Sequence, residues 1–173
     1  MGRVRIAVSN AARSVEVYRD VVGLRVLGET RPGSKLVRMG AAGSDTALLE
    51  IEELPGVRPL DGRRLGLYHF AILLPSRLDL SAFIHHLRRT CVDVGSADHL
   101  YSEALYLVDP DGLTVEVYAD RPREEWIYEN GELVTGVEPL RLAEILELEP
   151  RRAWAGVPAG STVGHMHFFV GDL

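Results

Sequence analysis

Two stretches of this 173-residue chain carry the same order of patterns, and that repetition limits the folds open to it more than any other feature. In the first, Val4, Ile6 and Val8 alternate with Arg3, Arg5 and Ala7 across Gly2 to Val8, the pattern of a strand with one buried face. Ser9-Asn10 can cap the helix that follows. Over Ala11 to Val22, Val15, Tyr18 and Val22 recur at helical spacing, and Gly23 supplies the exit. Strands are predicted over Arg25 to Glu29, Lys35 to Met39 and Thr46 to Glu52, separated by Arg31-Pro32-Gly33-Ser34 and Gly40-Ala41-Ala42-Gly43. The second stretch opens with a strand, Gly66 to Ile72, and a helix marked by Leu80, Phe83, Ile84 and Leu87. The segments Val92 to Val94 and His99 to Ser102, then a hairpin ending at Tyr118, complete it. A βαβββ copy of this size cannot bury its own sheet face. Two modules, about 1–53 and 66–118, are therefore expected to pair their sheets around a pocket, in an α+β domain over about 1–118.

The hairpin holds the densest polar chemistry. Asp109-Pro110-Asp111-Gly112 reads as its turn, because Pro presets φ and Gly accepts positive φ. Strand alternation sends Leu105 and Leu107 to one face and Tyr106 to the other, with Glu116 opposite Val115 and Val117. A His, a Tyr and a Glu can so meet on one concave sheet face.

The spacing His99, Leu105-Tyr106, Asp109-Pro110-Asp111-Gly112, Glu116 resembles the ring-cleavage signature of extradiol dioxygenases, members of the vicinal-oxygen-chelate superfamily with glyoxalase I and the bleomycin-resistance proteins. Tyr18 to Leu24 also resembles the helix end of such a module, a structural motif. The resemblance is to the N-terminal half of a two-domain catechol 2,3-dioxygenase and implies a curved sheet of paired βαβββ modules. It further implies an Fe(II) ion held by two His and one carboxylate, with open positions for a catechol and O2. Within it His99 is an acid/base able to pass protons at ordinary pH, and Tyr106 a hydrogen-bond donor to substrate. The product implied is a ring-opened muconic semialdehyde.

The resemblance implies one His from the opening strand of each of two modules and the carboxylate from the last strand of the second. Counted back from the apolar residue ending each opening strand, the equivalent position falls on His69, His165 and Arg3, with Glu116 as the matching carboxylate. A guanidinium has no lone pair to donate, so Arg3 cannot be a ligand. Two readings stay open. Glu50, the repeat counterpart of Glu116, can complete a set with His69 and Glu116 that suits a harder divalent ion such as Mn, as in glyoxalase-type isomerases and lyases. Alternatively Arg3 pairs with Glu50 or Glu116 and this half binds no metal, leaving a bleomycin-resistance-like binding module or a structural half-domain. His165 is expected to be the end of an orphan strand whose other ligands lie beyond Leu173.

After Tyr118 the texture changes. Residues 119–163, with Pro122, Pro139, Pro150 and Pro158, two tryptophans and an amphipathic Leu140 to Leu148, read as a connector, and 164–173 as the first strand of an incomplete third module. His85 and His86 are expected on a solvated helix face, Cys91 packed, Trp126 and Trp154 in packing contacts, and Asp120-Arg121-Pro122 in an exit turn with an ion pair of small value. A net charge of −6 with Lys35 as the single lysine argues against nucleic acid as a partner. One cysteine leaves no intramolecular disulfide, and no apolar run reaches membrane-spanning length. The expectation is a cytoplasmic homo-oligomer whose partners are a small aromatic diol and O2.

Overall fold

A computed structural model describes residues 2–29, 36–60, 65–148, 150 and 153–172. The expected turn Arg31-Pro32-Gly33-Ser34, Lys35 and Leu173 lie outside the described residues. The first module runs β1 (Val4–Val8), α1 (Ala11–Asp20), β2 (Arg25–Glu29), β3 (Leu36–Gly40) and β4 (Ala47–Glu53). The second runs β5 (Gly66–Leu73), α2 (Arg77–Thr90), β6 (Gly95–Asp98), β7 (Ser102–Val108) and β8 (Thr114–Asp120). Both helices begin as their caps dictate: Asn10 accepts from the Arg13 amide, and the Ser76 hydroxyl from the Asp79 amide. Two local expectations change. Val92–Val94 precedes β6 rather than forming a strand, and His99 to Tyr101 form a turn, with Leu100 at φ 73°.

Beyond β8 come a single 3₁₀ turn (Arg123–Glu125), a two-residue ribbon of β9 (Tyr128–Glu129) and β10 (Glu132–Leu133), and α3 (Leu142–Leu146). The last strand, β11 (Thr162–Phe169), does not stand apart from what precedes it. It pairs antiparallel with β5 and becomes the edge of a five-stranded sheet ordered β11-β5-β8-β7-β6. The first module forms its own sheet, β1-β4-β3-β2, and among the described residues no strand of one sheet is hydrogen-bonded to a strand of the other. The two modules pair as expected, but not by hydrogen bonding between their sheets, and the cavity described below lies on the second sheet, which β11 extends.

The modules are instead joined through a common core. Val4, Ile6, Val8 and Tyr18 of the first pack in one apolar cluster with Phe70, Ile72, Phe83, Leu105, Leu107, Val115 and Val117 of the second. Burying one continuous apolar face from each module is what makes neither viable alone. The Asp109–Gly112 turn pins this junction. The buried Tyr18 hydroxyl donates to Asp109 at 3.0 Å, and the Ser9 amide and hydroxyl each donate to Asp111 at 2.6 Å. No helix among the described residues is long and apolar enough to cross a membrane.

Candidate metal centre

The five-stranded sheet has an apolar face turned to the core, and its other face carries the chemistry. Alternation gives Phe70, Ile72, Leu105, Leu107, Val115 and Val117 to the core, leaving His69, Ala71, Ala104, Tyr106, Glu116 and Tyr118 on the far side. Strand register aligns one row across that face: His165 of β11 opposite Ala71 of β5, Ala71 opposite Glu116 of β8, Glu116 opposite Tyr106 of β7, and Tyr106 opposite Gly95 of β6. His165 and Glu116 are two strands apart, about 9–10 Å between backbones. They reach each other over Ala71, whose methyl group leaves the gap open.

Three side chains converge there. The Nε2 atoms of His69 and His165 each lie 3.0 Å from Oε2 of Glu116 and 3.2 Å from one another. Their ligand atoms fall within 4.8 Å as a group. His69 and Glu116 are buried, while His165 sits at the margin. Burial works to raise the Glu116 carboxyl, but the hydrogen bonds and charge of His165 and His69 hold it down to about 2. Two imidazoles and one carboxylate are the donor set of the two-His-one-carboxylate metal sites. Donors about 2.1 Å from one ion at right angles to it stand about 3 Å apart, which the three observed edges match. The residues therefore fit a divalent metal. Among the described residues, His69 Nδ1 is buried without a hydrogen-bond partner.

A bulge aims His165. The register with β5 slips between Val163 and His165, and a Cβ on the intervening Gly164 would run into the Tyr118 hydroxyl. Around the three residues lies a cavity of about 570 Å³, walled by Tyr68, Tyr101, Tyr106, Tyr118, His99 and Val137. His99 Nε2 is 2.7 Å from the Tyr106 hydroxyl, and its Nδ1 is 3.0 Å from the Gly136 carbonyl. Burial, then the charge of Glu116, push the Tyr106 phenol well above its usual range, so it keeps its proton.

Of the residues singled out in the sequence, His69, Glu116, His165, His99 and Tyr106 are thus gathered in one cavity, and Glu50 is not. It belongs to the four-stranded sheet, where Arg3 Nε at 2.7 Å and Arg5 Nη2 at 2.8 Å hold its carboxylate. The register gives the reason. Arg5 stands opposite Glu50 as Ala71 stands opposite Glu116, so Arg3 occupies the counterpart of His69 and two guanidinium groups meet the carboxylate that two imidazoles meet in the second module. His165 is no orphan either, because β11 brings it onto residues of this chain.

Other expectations change with their contacts. Arg121 lies in no idle exit turn: it forms a two-pronged pair with Asp98 at 2.7 and 2.9 Å and reaches Glu103 at 3.0 Å, and Arg77 also holds Glu103. Cys91 is exposed, and the His86 ring takes the Asp20 and Val21 carbonyls that end α1. The tryptophans do make packing contacts: Trp126 donates to the Arg121 carbonyl under the Arg123 guanidinium, and Trp154 lies tilted against Phe83. Sequence reasoning missed Ala71, Gly164, Tyr118 and Gly136, whose parts in the cavity depend on register and on a connector with no periodic signal.

A family model described as Glyoxalase/Bleomycin resistance protein/Dioxygenase superfamily matches residues 1–117. A curated catechol-2,3-dioxygenase of Bacillus subtilis (strain 168) is 36% identical over 175 residues, taking in 100% of this chain. The chain spans 60% of that relative's length. Among solved structures, a glyoxalase/dioxygenase from Nostoc punctiforme superposes with a TM-score of 0.59 at 16% identity, over 69% of this chain and 90% of the other. The cppA protein from Streptococcus pneumoniae superposes with a TM-score of 0.60 at 14% identity, over 95% of this chain and 58% of the other. Those two likenesses speak for the fold.

Proposed function

The chain belongs to the glyoxalase/bleomycin resistance protein/dioxygenase superfamily, and from that premise we propose that it carries the metal centre of an extradiol ring-cleaving dioxygenase, acting with Fe(II) and O2 on catecholic aromatics. The reading applies to the whole protein, since this chain spans only part of its curated relative. The observation that carries it is the meeting of His69, His165 and Glu116 within 4.8 Å on the wall of a tyrosine-lined cavity. Held by these three, Fe(II) would supply a redox-active Lewis acid with positions left for a chelating diol and O2.

The chain's own residues supply placement and proton handling. Tyr68, Tyr101 and Tyr118 offer flat apolar walls to a planar ring. Tyr106, held protonated, stands between the cavity and His99 Nε2. A diol hydroxyl can pass its proton to the Tyr106 oxygen as the Tyr106 proton moves to His99, leaving the diol anionic, the phenol restored and the imidazole charged.

The test is an anaerobic Fe(II) titration of the purified protein, then a catechol assay in air for the yellow ring-opened product. Stoichiometric iron, lost in Glu116→Gln, with product formed is the expected result. Iron without product moves the reading to a glyoxalase-type isomerase or lyase. Failure to bind iron moves it to a metal-free binding module.

A further inference from the structure

We propose that the backbone carbonyl of Gly136, in the connector after the second module, fixes which nitrogen of His99 carries the proton, which makes this stretch a positioning part of the site. The inference rests on the reading of His99 and Tyr106 as the proton-handling pair. His99 leaves β6 in a tight turn, its amide donating to the Ser102 carbonyl at 2.8 Å and the Leu100 amide to the Asp98 carboxylate at 2.8 Å. The connector is tied to the same point: Asp98 and Glu138 exchange two backbone hydrogen bonds of 2.9 Å each. Gly136, two residues earlier, then lies with its carbonyl oxygen 3.0 Å from His99 Nδ1.

A carbonyl oxygen only accepts, so Nδ1 must carry the hydrogen. In the neutral ring Nε2 is then bare, and at 2.7 Å it accepts from the Tyr106 hydroxyl. The opposite tautomer would set the Nδ1 lone pair against the carbonyl oxygen. His99 is thereby held as a proton acceptor toward Tyr106, whose hydroxyl also has the Glu116 carboxylate as a competing acceptor. The glycine is what allows the approach: a Cβ at 136 would meet Leu100 Cδ1 at 3.1 Å and Cγ at 3.3 Å. Asp98, gripped by Arg121, anchors both the turn and the connector.

The experiment labels the histidine ring nitrogens of the metal-free protein with the heavy isotope. At alkaline pH, long-range nitrogen–proton correlation reads the His99 tautomer. It needs neither metal nor substrate, so the tautomer is read whether or not the dioxygenase reading survives, and a wrong tautomer leaves metal binding untouched. The wild type is expected as the Nδ1–H form. Gly136→Val, crowding Leu100, shifts His99 toward the Nε2–H form that a free imidazole prefers, and Leu100→Ala in the same chain restores it. Glu138→Pro, which deletes one of the two backbone bonds at the surface, should give the same shift should Gly136→Val disturb folding. A wild-type Nε2–H ring, or a tautomer unmoved in both single variants, overturns the proposal.

Discussion

Ala71 shows how much of this site depends on a side chain that does nothing but stay short. It lies directly between His165 and Glu116 in the row across the sheet and is fully buried. Ala71→Val adds two methyl groups where the imidazole and carboxylate close over it, so the protein should fold at a cost of about 1–3 kcal/mol. Its Fe(II) affinity should fall at least tenfold, the order seen when support around a ligand is disturbed. Thermal melts and anaerobic titration of the same sample check both halves, and tight iron binding by the variant would show that the ligands do not approach across this gap. That His69, His99, Tyr106 and Glu116 would share one face was legible from their type, their spacing and the family resemblance that they carry. Ala71 and Gly164 were not, since a small residue in a strand reads only as a weak strand former until the register says what it faces.

At the level of elements, the turn after β6 is held by charge as much as by backbone. Arg121 is four-fifths buried with Asp98 and Glu103. The sequence offered only an arginine before a proline, because pairing from β6 to the end of β8 is a consequence of register. The hydrogen bonds of Arg121 hold the Asp98 carboxyl below its usual range against the effect of burial, aided by the Leu100 amide. A carboxyl depressed in the folded state contributes stability that is fully present above the unfolded value, near 3.9 for aspartate, and is lost as pH falls through the folded one. Asp98→Asn should therefore lower stability by about 2 kcal/mol near neutrality. The gap to wild type should close as denaturation is measured down through pH 4 and below, and a gap constant with pH would sink the assignment. In the other module, the pairing of Arg3 and Arg5 with Glu50 argues that Arg3→His makes no second centre. Among the described residues that sheet has no strand playing the part of β11 to bring a third ligand, and iron stoichiometry should stay at one per chain.

For the molecule as a whole, the decisive element is the last strand. The repeat made two modules legible, and the alternation of Val4, Ile6 and Val8 and of Leu105, Leu107, Val115 and Val117 correctly named the faces that became the shared core. It could not say that the modules would join through those faces, because apolar periodicity records that a face is buried and not against what. Nor could it say that β11 would take the free edge of β5. Once there, β11 enters the core at Val163 alone among its apolar residues; Met166 and Phe168 are exposed, and the rest of its hold is backbone pairing, the ring contacts of His167 and Phe169 with Tyr68, and His165. A metal bound by His69, Glu116 and His165 would bridge β5, β8 and β11. Ligand held only by the folded state adds about 2.7 kcal/mol at a hundred times its dissociation constant, and here that stabilisation is focused on one edge strand. Hydrogen exchange of the iron-loaded protein, before and after chelation, should show β11 amides losing protection by about a hundredfold while β1 to β4, which supply no ligand, change little. Uniform loss across both sheets would mean that the ion stabilises the fold globally and not through β11.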